Sequence, residues 1–215
     1  LRDSYPEALA DAYIEGRFVN LTSGSIYTSY DREACASNER IFGGERLYVG
    51  MDFNVGKMAA VIFVRRGETL HAVDELVDLY DTNNMVEAIK SRYDGHSIMV
   101  YPDASGRSRK TVNASQSGLA ILRQAGFQIR APKKNPVVKD RINAMNASFS
   151  NGVMKVNPKA CPEFVRSLEQ QSYDKNGEPD KKSGHDHLND AGGYVIAYEK
   201  PVKKPVSDVR IAFAI

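Results

Sequence analysis

Two aspartates stand where apolar segments end, and their carboxylates could do chemistry. Asp52 lies in the apolar sequence of residues 48–54, and Asp103 follows the apolar run of residues 97–101. A buried lone carboxylate is costly unless it is paired or binds a metal, although either aspartate could also belong to a salt bridge or a turn. Ligands in open α/β sheets bind beyond the carboxyl ends of strands, so neighbouring strands would bring both side chains to one edge. Two such oxygen ligands suit Mg²⁺ or Mn²⁺.

A third group of candidates begins the last predicted helix. Asp186 and Asp190 are four residues apart and share a helical face, where they repel each other unless a cation lies nearby. Asp186 could instead be an N-cap or a first-turn acid that complements the helix dipole. His187 forms a His-x-x-Asp pair with Asp190 and is a candidate metal ligand or general base, or only a solvated side chain. His185 is the weaker candidate of the two histidines.

Basic residues follow these acids along the chain. A run of charge is often only a solvated face, but a basic rim around an acidic metal site suits a phosphodiester substrate. We therefore predict that this rim contacts a nucleic-acid backbone. Its members are Arg107, Arg109, Lys110, Lys133, Lys134, Lys139 and Arg141.

The elements that must position these side chains follow from the hydrophobic pattern. Three strands in series predict an antiparallel meander, and strands then alternate with helices, which predicts an α/β fold with a mixed sheet covered by helices on both faces. Thr82 or Asn83 is the predicted N-cap of the first helix, and Gly126 the residue that ends the second. The strands are predicted at residues 47–53, 58–65, 69–76, 97–101, 127–131 and 152–156, and the later helices at 114–125, 137–149, 162–171 and 185–199.

Composition excludes several classes of protein. The 215 residues carry a net charge of +2, and 42% are hydrophobic, as in a globular protein. The two cysteines lie far apart, which argues against a zinc site and a disulfide framework. The apolar run at residues 58–64 is far shorter than the ~20 residues that cross a bilayer. Because no Gly-x-x-x-x-Gly-Lys-[Ser/Thr] phosphate loop is present, we expect no ATPase activity in this segment.

The order of elements and the placement of the acids resemble the ribonuclease H-like superfamily of metal-dependent nucleases. Specific motifs look like the nuclease domain of the large terminase subunit of tailed bacteriophages. They are Gly-Met-Asp-Phe-Asn at residues 50–54, Tyr-Pro-Asp-Ala-Ser-Gly at 101–106 and His-Asp-His-Leu-Asn-Asp-Ala-x-x-Tyr at 185–194. The segments at residues 16–20 and 24–27 look like the connection from the family's packaging ATPase to its nuclease.

This resemblance implies an endonuclease that cuts concatemeric double-stranded DNA at the start and end of genome packaging. It would hydrolyse phosphodiester bonds with two Mg²⁺ or Mn²⁺ ions. By motif, Asp52 would be the central metal ligand, Asp103 the second, and Asp190 or Asp186 the third. Many relatives carry His-Asp-Asp where this chain has His-Asp-His, so His187 stands at the second Asp position and is a further catalytic candidate.

The resemblance also implies an organisation and partners. Residues 1–45 would be a linker from an ATPase domain absent from this segment, 46–200 the nuclease domain and 201–215 a C-terminal tail. The start without Met or a signal sequence fits a piece of a longer polypeptide. Partners would be the small terminase subunit and the portal protein, on the procapsid in the host bacterial cytoplasm, with no membrane. Alternatives are another ribonuclease H-like nuclease, of the junction resolvase or integrase type, or a non-catalytic DNA-binding module.

Overall fold

The computed structural model describes residues 25–54, 56–104, 117–131 and 134–202. Within these ranges the chain forms a six-stranded sheet and five helices, in the order that the sequence predicts. The strands are β1 (Arg46–Asp52), β2 (Met58–Arg66), β3 (Thr69–Leu79), β4 (Ser97–Pro102), β5 (Gln128–Ile129) and β6 (Met154–Val156). The helices are α1 (Thr82–Arg92), α2 (Gly118–Gln124), α3 (Val138–Ser150), α4 (Pro162–Gln170) and α5 (Asp186–Glu199). None of these helices is long and apolar enough to span a membrane.

The sheet is mixed and has the strand order β5-β4-β1-β2-β3-β6. β1, β2 and β3 form the predicted antiparallel meander, whereas β4 pairs in parallel with β1, β5 with β4, and β6 with β3. Because β1 and β4 are parallel neighbours, with Met51 opposite Pro102, both strands end at one edge of the sheet. We call this edge, which carries Asp52 and Asp103, the site edge.

Helices cover both faces of the sheet, as predicted. Successive side chains of a strand point to opposite faces, so Ala60 and Ile62 of β2 belong to one core and Val61 and Phe63 to the other. The first core is completed by α1 and α2, and the second by α3, α4 and α5. The face that carries α5 therefore holds the helix with the remaining candidate residues.

Gly50 allows α5 to lie directly on β1. A Cβ atom built at this position would be 1.9 Å from the carbonyl oxygen of Ala191, closer than any side chain can come. At Gly192 a Cβ would be 2.7 Å from the ring of Phe164 in α4. These two glycines permit the close packing that brings the start of α5 to the site edge.

Several element boundaries differ from the prediction. The N-cap of α1 is Asp81 rather than Thr82 or Asn83, because Asp81 has extended backbone angles and its carboxylate accepts the Asn84 N–H. α2 begins only at Gly118, after the N-cap Ser117, and residues 114–116 lie outside the described part of the chain. The fifth strand is reduced to Gln128–Ile129, the only positions where its backbone pairs with β4.

The stretch that precedes β1 packs on the rest of the fold from Ser25 onward. Ile26, Tyr27 and Tyr30 are buried in the core beneath α3, α4 and α5, and Ala36 forms a β-bridge with Val156. The earlier part of the predicted linker, and residues 203–215 of the predicted tail, lie outside the described residues. The packed part begins well before residue 46, where the second predicted segment starts.

Candidate functional site

Asp52 and Asp103 lie side by side at the site edge, as the sequence predicts. Asp52 is the last residue of β1 and is 9% exposed. The backbone N–H of Asp103 donates to the carbonyl of Met51 at 3.0 Å, which continues the pairing of β4 with β1. The two strands therefore position both carboxylates through backbone hydrogen bonds.

An amide side chain holds Asp103 from a third element. Asn135, in the connection that leads to α3, donates its Nδ2 to Asp103 Oδ1. Its Oδ1 accepts the N–H of Ala104 at 2.7 Å. One planar side chain thus binds both the carboxylate and the backbone that follows it. Nothing in the sequence around Asn135 distinguishes it as a site residue.

His187 reaches Asp52 from the first turn of α5. Its Nδ1 lies 3.0 Å from Asp52 Oδ2, and its Nε2 lies 3.1 Å from the amide nitrogen of Asn54. The hydrogen bond to Asp52 raises the pKa of His187, and the nearby carboxylates of Asp186 and Asp190 raise it further. A carboxylate and an imidazole predicted from separate segments are therefore in direct contact. His185 occupies the N-cap position of α5 without a side-chain capping bond.

Asp190 is paired with a buried arginine. Nη2 of Arg141 donates to Asp190 Oδ1 at 2.5 Å, and the guanidinium carbon lies 4.7 Å from the centre of the Tyr194 ring. Burial raises the pKa of Asp190, Arg141 lowers it, and Asp52 raises it again. The side chain of Arg141 is only 5% exposed. This position corrects the expectation that Arg141 contacts DNA at the surface, because the packing of α3 on α5 turns the guanidinium inward.

Asp186 presents a carboxylate oxygen to the same interior. Asp186 is 7% exposed, and its Oδ1 has no hydrogen-bond partner among the described residues. The nearest cationic group is Nε2 of His187 at 3.9 Å. A buried carboxylate oxygen without a hydrogen bond is costly in the folded protein. A bound cation is one arrangement that would compensate it.

The donor set fits a hard divalent cation. Carboxylates from β1, from the end of β4 and from α5 gather at the site edge with one imidazole, which is the ligand chemistry of Mg²⁺ and Mn²⁺. In the described residues, no three acidic, histidine or cysteine side chains converge closely enough to form a complete metal cluster. The unpartnered Oδ1 of Asp186 and the hydrogen bond between Asp52 and His187 nevertheless favour a cation here.

The rest of the predicted basic rim is described only in part. Lys134 and Lys139 are exposed, and Lys134 directly precedes the residue that binds Asp103. The remaining members lie outside the described residues: Arg107, Arg109, Lys110 and Lys133. Sequence reasoning missed Asn54, Asn135 and Tyr194 as site residues. Asn54 and Tyr194 stand inside the motifs that carried the resemblance, whereas Asn135 had no such signal.

Solved structures with a similar fold are nucleases of phage terminases. The P22 large terminase nuclease domain superposes with a TM-score of 0.62 at 19% identity, over 82% of this chain and 92% of that domain. The large terminase nuclease of thermophilic phage G20c with bound magnesium gives a TM-score of 0.59 at 12% identity, over 82% and 98%. The same nuclease was also crystallised with cobalt. Identities this low show the fold alone.

A longer relative shows how much of a whole terminase this chain represents. The large terminase of another thermophilic bacteriophage matches with a TM-score of 0.64 at 19% identity, over 80% of this chain but only 45% of that protein. The chain therefore spans about half the length of that terminase. No curated protein matches the chain. The family model of the terminase RNase H-like domain matches residues 49–199, most of the chain, and the chain belongs to that family.

Proposed function

We propose that this chain is the nuclease domain of a phage DNA-packaging motor and cuts concatemeric double-stranded DNA with divalent metal ions at the start and end of packaging. The observation that carries the proposal is the meeting of Asp52, Asp103 and the acids of α5 at one edge of a sheet with the terminase fold. The G20c nuclease, which has this fold, was crystallised with bound magnesium and with bound cobalt. Two Mg²⁺ or Mn²⁺ ions are the proposed cofactors.

Asp52 and Asp103 are the proposed core of the metal site. Asp52 lies between β4 and α5, and it is close enough to Asp190 to raise the pKa of that carboxyl. When bound, the metal ions would activate a water and stabilise charge on the leaving oxygen of the phosphodiester. The protein supplies oxygen ligands that are held in place before the substrate arrives, so little reorganisation is needed.

The third ligand comes from α5, as Asp190 or Asp186. Arg141 holds one oxygen of Asp190, whereas Asp186 has a buried oxygen without a hydrogen bond in the described structure. Calorimetric titration of MnCl₂ into Asp186→Asn and Asp190→Asn separates the two. The variant that loses Mn²⁺ affinity identifies the ligand, and its partner should bind almost as the wild type does.

His187 has a proposed role in orienting Asp52. Its imidazole contacts one carboxylate oxygen of Asp52 at 3.0 Å, and Asn54 holds the ring from the other side. A ring held between two side chains keeps the carboxylate in one orientation. At the pH values where the imidazole is neutral, it could also accept a proton from water near Asp52.

The proposed substrate surface and partners follow the family. Lys134 and Lys139 are exposed on the approach to α3, and with Arg107, Arg109, Lys110 and Lys133 they would hold the DNA backbone without reading its sequence. The ATPase domain of the same polypeptide, the small terminase subunit and the portal protein are the proposed partners. They would meet on the procapsid in the host bacterial cytoplasm. The predicted division into residues 1–45, 46–200 and 201–215 remains part of this proposal.

The test is cleavage of supercoiled plasmid in Mg²⁺, Mn²⁺ or EDTA. Wild-type protein should cut only with metal, and Asp52→Asn and Asp103→Asn should reduce cutting to the EDTA background while circular dichroism shows an unchanged fold. Asp94→Asn, an exposed aspartate away from the site edge, is the matched control and should cut normally. Appreciable cutting by folded Asp52→Asn would refute the assignment. A strong preference for four-way junctions over linear duplex would favour a resolvase instead.

A further inference from the structure

The connection from β5 to α3, together with the first turn of α3, contacts two carboxylates that come from different elements. Asn135 binds Asp103, at the end of β4, and Arg141 binds Asp190, on α5. We propose that Asn135 and Arg141 act as one clamp that sets the relative position of Asp103 and Asp190 for metal binding. Both are positioning residues, since they act on the metal through the carboxylates. This inference rests on the proposed metal site.

Asn135 is well suited to fix Asp103. Its amide plane is held at both ends, by the N–H of Ala104 at Oδ1 and by Asp103 at Nδ2. The residue after it is Pro136, which restricts the backbone of Asn135 to extended conformations. An aspartate at this position would repel Asp103, and an alanine would donate no hydrogen bond. The side chain and the backbone of Asn135 are therefore both constrained where the contact is made.

Arg141 is fixed by groups on three sides. Its Nη2 donates to Asp190, its Nη1 lies 3.5 Å from the carbonyl of Pro136, and its guanidinium faces the Tyr194 ring. Gly193 of α5 lies directly beside it, since a Cβ atom there would be 3.5 Å from Cδ of Arg141. A buried charge pair is tolerated only when its geometry is good and its other hydrogen-bonding groups are satisfied. These contacts meet that requirement.

The two contacts share one rigid stretch of chain. Pro136 joins them, because it restrains Asn135 from one side and its carbonyl lies near Arg141 on the other. A shift of this stretch would move both carboxylates together. A carboxylate with one oxygen bound to a fixed donor also has less rotational freedom to lose when a cation binds. The clamp should therefore strengthen metal binding beyond what it contributes to folding.

The test measures Mn²⁺ affinity without DNA, by calorimetric titration of MnCl₂ into the whole chain. Asn135→Ala and Arg141→Gln should each weaken Mn²⁺ binding about tenfold, as is typical when a residue supporting a metal ligand is lost. Arg141→Lys keeps the charge but lacks the planar fork and should be intermediate. Plasmid cleavage should show a lower kcat with an unchanged KM for DNA, since neither side chain is placed on the DNA surface.

Two matched controls separate positioning from stability. Asn151→Ala removes an exposed asparagine at the other end of α3. Arg66→Gln removes an arginine that also pairs with glutamates and faces a phenyl ring, Phe42, at 4.9 Å, but lies at the end of β2 away from Asp52. Both should keep wild-type Mn²⁺ affinity, and Arg66→Gln should lower the melting temperature. Should Arg141→Gln not fold, the exposed Asn135→Ala and Arg141→Lys decide the test.

The outcomes are distinguishable. Unchanged Mn²⁺ affinity in folded Asn135→Ala and Arg141→Lys, with only a lower melting temperature, would overturn the clamp and leave the proposed function standing. No Mn²⁺ binding by the folded wild type would overturn both. Weaker Mn²⁺ binding in both variants, with normal binding in the two controls, would establish the clamp.

Discussion

The two ends of the ladder between β1 and β2 treat carboxylates differently. At the end away from the site, Arg66 donates to Glu45 at 2.6 Å and to Glu39 at 2.9 Å, so one guanidinium neutralises both acids directly. We call this the far end. Its charges are partners in ordinary half-exposed ion pairs, and they hold the chain before β1 against β2.

At the site edge the partners are weaker and more varied. Asp52 contacts an imidazole and Asp103 an amide, whereas Asp190 is paired with Arg141. Asp186 keeps one oxygen without a hydrogen bond in the described structure. The difference indicates that the far end is organised for stability, whereas the site edge holds carboxylates ready for a cation that the protein itself does not supply.

Gly50 gives the largest test of this contrast. Gly50→Ala would drive a Cβ into the carbonyl of Ala191, and should lower the free energy of unfolding by about 4 kcal/mol, above the usual cost of overpacking. Gly43→Ala, before the far end of β1, meets no atom within 4 Å and should change it by less than about 0.5 kcal/mol. Urea unfolding measures both. Similar small effects would show that α5 is not held on β1 as described.

The two arginines sharpen the comparison at the next level. Arg141 is 5% exposed and Arg66 27% exposed, so their removal should not cost the same. Without metal, Arg141→Gln leaves Asp190 buried and unpaired and should cost about 3 kcal/mol. Arg66→Gln breaks half-exposed pairs and should cost about 1 kcal/mol. Urea unfolding in EDTA checks this order, and the reverse order would remove the distinction between the two ends.

Two histidines should give opposite pH dependences in metal-free protein. Burial lowers the pKa of His71, which Glu39 opposes and Arg66 and Lys155 support, and its Nδ1 lies 2.7 Å from Ser37 Oγ. Its stabilising contribution is therefore present above the unfolded value of about 6.5 and is lost as pH falls through the folded pKa. His71→Gln should make unfolding less sensitive to acid between about pH 5 and 7.

His187 has the opposite sign. Its pKa is raised, chiefly by Asp52 and then by Asp186 and Asp190, so its contribution is present below about 6.5 and is lost as pH rises through the folded pKa. His187→Gln should therefore remove stability from the acid side of the profile. Unfolding in EDTA from about pH 5 to 8 measures both variants. If the two substitutions tilted the profile in the same direction, the assigned surroundings of one histidine would be wrong.

The smallest expected effect concerns the exposed lysines near the site edge. Lys134→Ala and Lys139→Ala should each reduce the slope of log DNA affinity against log salt by about 1, because each releases one phosphate contact. Lys159→Ala, an exposed lysine after β6, should leave the slope unchanged. Fluorescence anisotropy over a salt series measures the slopes. Equal slopes for all three variants would remove these two lysines from the proposed DNA surface.

Much of the fold could be predicted because it follows from local pattern. Alternating and continuous apolar runs located β1, β2 and β4, and the turn after Gly126 was confirmed by its positive φ of 88°. The start of α1 was predicted one residue late, since Asp, Asn and Thr all cap helices well and only the backbone angles of Asp81 decide among them. β5 was predicted too long because its length depends on pairing with β4.

The candidate site divides in the same way. Asp52, Asp103 and the motif on α5 were found from residue types at the ends of apolar segments, and the parallel pairing of β1 with β4 brings the first two together. Arg141 was misplaced because an arginine in a basic stretch gives no sign of whether it faces solvent or a buried acid. Asn135 was missed for a similar reason, as its contact with Asp103 joins residues 32 positions apart.

Residue order was thus enough to predict the mixed sheet, the helices on both its faces and the family, because strand periodicity and short motifs are properties of neighbouring residues. Folding alone settled which side chains meet: Arg141 with Asp190, Asn135 with Asp103, and His187 with Asp52. Such contacts depend on how closely whole elements approach. Here that approach is set by the missing Cβ at Gly50, which allows α5 to lie against β1.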